Sequence, residues 1–155
     1  MALPTSLLEV TTLSLLTVRS FPCTLRHSLH ITLCALAVGF TWAWGSGKRG
    51  QLGSEVLTTV TLPQRIEGLV GNRVLELACG YDFSVALTEK GLFVWGSGQQ
   101  GQIPCDDPKG IVTGPTKIPL STVKIASISC GRLHTAILTS TLPCSMNIQF
   151  LSLVK

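Results

Sequence analysis

The chain has 155 residues, of which 45 % are hydrophobic and only 13 % are charged. That composition excludes an intrinsically disordered chain, and the charged share falls well below the roughly 25 % of an ordinary globular domain. The net charge of +4 is dispersed: residues 44–139 hold nine basic and seven acidic side chains, and the longest basic run is Lys48-Arg49. The concentrated basic face that phosphate neutralisation requires is missing, so no direct nucleic-acid footprint is expected.

Residues 1–41 form an N-terminal segment of different character, rich in Leu, Thr and Ser, with Glu9 as its only acid and Arg19 and Arg26 as its firm bases. A secretory signal carries its positive charge before the apolar core, whereas here the first base follows residues 10–18. Few acids, two arginines and many hydroxyls fit a mitochondrial transit segment better. From 31 to 47 there are seventeen residues without a charge, ending at Lys48-Arg49. A bilayer span needs about 20 apolar residues, with roughly 17 as the lower limit, so length alone admits a membrane helix over residues 31–47. The competing use of those residues is a repeat.

Trp44-Gly45-Ser46-Gly47 recurs as Trp95-Gly96-Ser97-Gly98, 51 residues later. Gly50-Gln51 recurs as Gly101-Gln102, Cys79-Gly80 as Cys130-Gly131 and Leu87-Thr88 as Leu138-Thr139, all at the same spacing of 51. Pro63 and Ile66 find counterparts in Pro115 and Ile118, one residue out of register, as a loop insertion would produce. Internal repeats of 20–50 residues or so signal stacked or radial architectures. Between the landmarks the sequence reads as strands: Leu75, Leu77 and Cys79 alternate, as do Ala126, Ile128 and Cys130. Next come strands over 84–88 and 92–95, joined by Glu89-Lys90-Gly91 as a three-residue hairpin loop whose last residue has positive φ. Short strands, glycine turns and no helical period imply an antiparallel meander.

The pattern Trp-Gly-x-x, then Gly-Gln-Leu-Gly, a proline-containing strand, a strand ending Cys-Gly, then x-x-(His/Phe)-(Ser/Thr) and a run ending Leu-Thr resembles the regulator-of-chromosome-condensation repeat, over about residues 42–139. The resemblance implies an all-β fold: a partial β-propeller of about two blades of a seven-bladed type. It divides the chain into an N-terminal segment 1–41, a repeat at 42–92, a truncated repeat at 93–139 and a non-repeat tail at 140–155. A degenerate third copy is readable upstream, with residues 23–32 aligned on 130–139, Thr24 in place of glycine and a longer connection to Trp44. Two departures stand out. Ile103-Pro104 replaces the expected Leu-Gly, and after Thr139 the turn glycine and Trp-Gly do not follow. An open stack of blades leaves apolar end faces, so the chain is expected to be part of something longer or to associate.

The other motifs have plain structural explanations. Gly45-x-Gly47-x-x-Gly50 and Gly96-x-Gly98-x-x-Gly101 match a dinucleotide fingerprint. No helix is expected behind either, and only the first has an acid (Glu67) near the required distance, so they read as turn glycines. One tryptophan per repeat, Trp44 and Trp95, reads as packing between blades. His134 has Phe83 as its counterpart and no nucleophile or carboxylate beside it, so it too reads as packing. Cys79 and Cys130 read as small buried strand-end residues. The six cysteines (Cys23, Cys34, Cys79, Cys105, Cys130 and Cys144) show no metal-ligand spacing and read as reduced thiols of an intracellular protein, in cytoplasm or nucleus, with the mitochondrion as the alternative. The light-sensing branch of the family uses tryptophans just after Cys-Gly, where this chain has Tyr81 and Arg132.

No catalytic residue, metal or cofactor is therefore expected. The expected function is a non-catalytic protein–protein interaction module whose repeat-structural residues are Trp44, Gly45, Gly50, Cys79, Gly80, Gly91, Trp95, Gly96, Gly101, Cys130, Gly131 and His134. Two alternatives stand beside it: part of a guanine nucleotide exchange factor for a small GTPase, which the resemblance raises, and a membrane-anchored fragment held through residues 31–47.

Overall fold

A computed structural model describes residues 24–27, 31–36, 40–120 and 124–139, the first two segments as backbone strands. Among the described residues ten strands, all antiparallel, make three sheets. The first sheet contains β1 (Thr24–His27), β2 (Ile31–Leu36), β3 (Phe40–Gly45) and β4 (Val60–Arg65), side by side in chain order. The second repeats that order with β5 (Val74–Cys79), β6 (Phe83–Thr88), β7 (Gly91–Ser97) and β8 (Ile111–Lys117). The third pairs β9 (Ile125–Cys130) with β10 (Thr135–Thr139). Strand β5 lies against β1 and β2 on one side and against β9 on the other, so the sheets stack as blades.

The sequence repeat and the blade are out of phase. One repeat unit contributes strands to two blades: β3 and β4 belong to the first sheet, and β5 and β6, which follow in the chain, to the second. Both faces of the second blade are consequently buried. One apolar cluster joins Ala43, Leu52, Ile66 and Leu69 to Leu77, Ala86 and Trp95; the other joins Val85, Leu87, Leu92 and Val94 to Ile128 and Ile137. Every residue of β6 is buried. A strand covered on both faces needs no alternating polar side, and β6 carries no charged residue.

Two expectations need correction. Residues 31–36 and 40–45 are not helical; they form the hairpin β2–β3, with Ile31 opposite Gly45 and Leu36 opposite Phe40. That rules out a membrane helix over 31–47, and among the described residues no helix is long and apolar enough to cross a bilayer. The upstream copy does form strands, but in a different register. Ile31 pairs Gly45 as Phe83 pairs Gly96, so Ile31 and not His27 takes the place of Phe83. The strand register sets the alignment, and the motif alignment differs from it by four residues. The tail 140–155 and residues 1–23 lie outside the described residues.

The hairpin between β6 and β7 is also tighter than its sequence suggested. Thr88 pairs directly with Gly91, leaving only Glu89 and Lys90 in the turn. The Thr88 hydroxyl closes it, accepting from the Lys90 amide at 3.1 Å and donating to the Gly91 carbonyl at 2.9 Å. Gly91 has φ +125°, a conformation that side chains disfavour, and a Cβ there would meet the Lys117 side chain. Gly91→Val should therefore lower stability by about 1–3 kcal/mol, whereas Lys90→Ala should change it by less than about 0.5 kcal/mol. Denaturant melts of the two variants check this; equal midpoints would mean that the turn backbone is unstrained.

Candidate functional site

The repeated residues converge on the seam between blades. The loop after β3 turns through a Gly50 amide bonded to the Gly47 carbonyl at 2.9 Å, and the loop after β7 turns identically through Gly101 and Gly98 at 2.9 Å. In each, a glutamine side chain folds back onto the loop: Gln51 Oε1 accepts from the Arg49 amide at 2.7 Å and Gln102 Oε1 from the Gln100 amide at 2.8 Å. Both glutamines are buried, as are the apolar residues that follow, Leu52 and Ile103. A strand follows each loop, with no helix behind the glycines, and loop amides that a phosphate would need are already bonded to glutamine.

Trp95 ties one blade to the next. It is fully buried, and its indole N–H donates to the Gln51 carbonyl at 2.9 Å, an oxygen that also accepts from the Ser84 hydroxyl at 2.8 Å. A Cβ on Gly53 (φ +71°) would stand 3.0 Å from the indole nitrogen, so glycine at this place serves both the turn and the close approach of the ring. Pro104 holds the matching place after Ile103, and a proline ring cannot adopt positive φ. Trp44 occupies the same backbone position in the first blade but is only half-buried. Gly45 (φ +110°) and Gly96 (φ +107°) follow the tryptophans at matching irregularities of the β3–β4 and β7–β8 ladders.

The Cys-Gly step has an equally local cause. The Gly80 amide bonds the Phe83 carbonyl at 2.9 Å, and the Gly131 amide bonds the His134 carbonyl at 2.9 Å. In both turns the ring folds onto the glycine so closely that a Cβ would coincide with ring atoms. Phe83 is buried beneath Gly96, while His134 is exposed. Cys79 and Cys130, at the strand ends, are half-buried, and Cys130 Sγ lies 3.8 Å from the Thr135 hydroxyl.

Further contacts across the second seam come from residues that do not repeat. The Glu76 carboxylate on β5 accepts from the Ser127 hydroxyl and the Ile128 amide of β9, both at 2.9 Å. The Arg132 guanidinium lies 4.8 Å from the centre of the Tyr81 ring, and the Tyr81 amide donates to the Arg132 carbonyl at 3.1 Å. Gln51, Ser84 and Glu76 were not singled out from sequence. The glutamine was signalled by its recurrence at 102, whereas Glu76 has only Ser127 as its counterpart. Among the described residues no three His, Cys, Asp or Glu side chains gather as a metal site.

Stacked antiparallel blades, the second latched to the first through Trp95, define a repeat-built propeller. The sequence profile of the regulator of chromosome condensation (RCC1) repeat matches residues 39–87 and 91–138, more than half of the chain, and a second profile of that repeat matches 74–102. The chain belongs to the RCC1 repeat family. It is 35 % identical over 106 residues to Protein RCC2 of Homo sapiens, covering 68 % of this chain and 20 % of that protein. It is 37 % identical over 116 residues to a probable E3 ubiquitin-protein ligase, HERC6 of Homo sapiens, covering 74 % and 11 %. Among solved structures, yeast RCC1 (Prp20) bound to Kap60 matches with a TM-score of 0.65 at 30 % identity, over 78 % of this chain and 28 % of that one. Human WBSCR16 matches in fold with a TM-score of 0.70 at 23 % identity, over 78 % and 31 %. The chain thus spans about a fifth of the length of the RCC2 relatives.

Two measurements follow from the seam. Trp95→Ala should cost about 3–5 kcal/mol, the usual figure for a buried aromatic truncation, and Trp44→Ala distinctly less, read as shifts in unfolding midpoint. Gly80→Ala should cost about 1–3 kcal/mol through overpacking against Phe83. Gly114→Ala, where a Cβ meets nothing within 4 Å, serves as the control and should stay within about 0.5 kcal/mol of the parent.

Proposed function

We propose that this chain is a non-catalytic protein–protein interaction module, a propeller segment whose repeated residues build a scaffold and whose non-repeated rim loops meet a partner. One observation carries the reading. The repeated polar groups are engaged internally, with Gln51 on its own loop and Trp95 and Ser84 on the Gln51 carbonyl. Equivalent rim loops, in contrast, diverge in chemistry: exposed Val56 and Leu57 follow the first turn, and Asp106, Asp107 and Lys109 follow the second. Loops of this kind on a rigid frame are where recognition is placed. HERC relatives carry the name of ubiquitin ligases, but this chain matches only 11 % and 2 % of their lengths. The family's description by chromosome condensation favours an intracellular setting, cytoplasm or nucleus.

The second reading is a part in nucleotide exchange on a small GTPase. The similarity to yeast Prp20p, whose solved structure is described together with binding to Gsp1p and histones, favours it. In the family such exchange rests on a full ring with an acid-bearing face, and the described residues provide two four-stranded blades and a two-stranded sheet. The test of both readings is twofold. Release of a fluorescent GDP from Gsp1p should proceed at its basal rate with the chain added at micromolar concentration. Proximity labelling in cells should mark a reproducible protein set that a Trp95→Ala variant loses. Accelerated release would establish the second reading in place of the first, and a labelled set unchanged by Trp95→Ala would remove the folded scaffold from the explanation.

A further inference from the structure

Where the second blade meets β9, a groove of about 570 Å³ opens beside the β6–β7 turn. Its floor is apolar, with Leu92, Ile118 and Ile125 among the residues that form it, and Lys90, Lys117 and Lys124 stand around it. At the preceding seam, the segment from Ile66 to Val74 inserts a fully buried Leu69. Its counterpart, from Ile118 to Ile125, is one residue shorter.

Leu75 is the unusual member. The β5–β6 ladder passes from Val74 opposite Thr88 to Glu76 opposite Leu87, so Leu75 is an extra residue on a bulge. Bulges re-aim side chains, and here the bulge leaves a leucine 49 % exposed at the groove. The next repeat has the same irregularity with Ala126 in that place. Leu75 thus adds an apolar side chain to the wall of the groove.

The charges around the groove do not cancel. Glu89, its one acidic lining residue, is drawn away by Arg73 at 2.9 Å. Lys90 reaches the Gly71 carbonyl at 3.2 Å, and that neutral partner leaves its charge in place. Three ammonium groups around an apolar floor complement an occupant that is apolar in the middle and anionic at its ends.

We propose that this groove is a docking site for a short, extended acidic segment of a partner protein, with a large apolar side chain against Leu75, Leu92 and Ile125 and carboxylates toward Lys90, Lys117 and Lys124. The inference rests on the interaction-module reading and deepens it. The volume lies in the range of small-ligand pockets and suits a few residues of peptide.

The experiment is selection of a phage-displayed random dodecapeptide library on the full chain, followed by fluorescence anisotropy with the enriched peptides. Enriched sequences should carry leucine-like residues flanked by Asp or Glu. Their affinity should fall at least ten-fold with Leu75→Asp and with the pair Lys117→Glu and Lys124→Glu, and should weaken as salt is raised. All three positions are exposed. A peptide whose acids are replaced by lysines should bind the doubly substituted chain better than the parent, a gain that an unfolded variant cannot give. Basic or neutral enriched sequences, affinities unchanged by the groove variants, or no enrichment would each overturn the groove assignment. The module reading is decided separately by proximity labelling, which does not depend on this groove.

Discussion

The seam between the first two blades depends on one contact: the Trp95 indole, from the third strand of the second blade, seated on the backbone of the Gln51 loop. The Gln51 carbonyl receives two donors, Trp95 and Ser84, from adjacent strands of the next blade. A carbonyl has two lone pairs, and using both inside a water-excluding seam leaves no buried acceptor wanting. The ring itself adds a large buried apolar area. Around this latch the other local features follow. The loop must place a carbonyl in a fixed direction, so a glutamine side chain braces the turn from within, and the residue facing the ring must lack a side chain.

The half-burial of Trp44 and the exposure of His134 express the same constraint. Each is the counterpart of a fully buried residue, Trp95 or Phe83, in the middle blade. Position in the repeat is therefore not enough by itself to bury a side chain. Stability in such an array is a sum over seams more than a property of any single sheet.

The landmarks of the repeat were legible in the sequence because each arises from a local constraint that recurs every 51 residues. Trp-Gly, Gly-Gln and Cys-Gly mark a latch, a braced turn and a ring laid over a glycine. Less was legible where tertiary pairing overrides motif similarity. Residues 23–32 look like 130–139, yet hairpin closure before β3 sets Ile31 opposite Gly45 and shifts the alignment. Glu76 escaped notice because a carboxylate that bonds across a seam leaves no periodic trace. Leu75 fits the alternating pattern of its strand, and the bulge that turns it outward is invisible in residue types alone.

The phase difference between repeat and sheet has a consequence for how such chains change length. Each unit carries two strands of one blade and two of the next, so the covalent chain crosses from blade to blade. Duplicating or removing a whole unit joins halves that already match, whatever the cut point. Growth by such steps needs no newly invented interface, only a frame shift equal to the period. The loops, which play no part in the match, remain free to diverge with each copy, and an array of this kind can accumulate distinct binding surfaces while its joints stay the same.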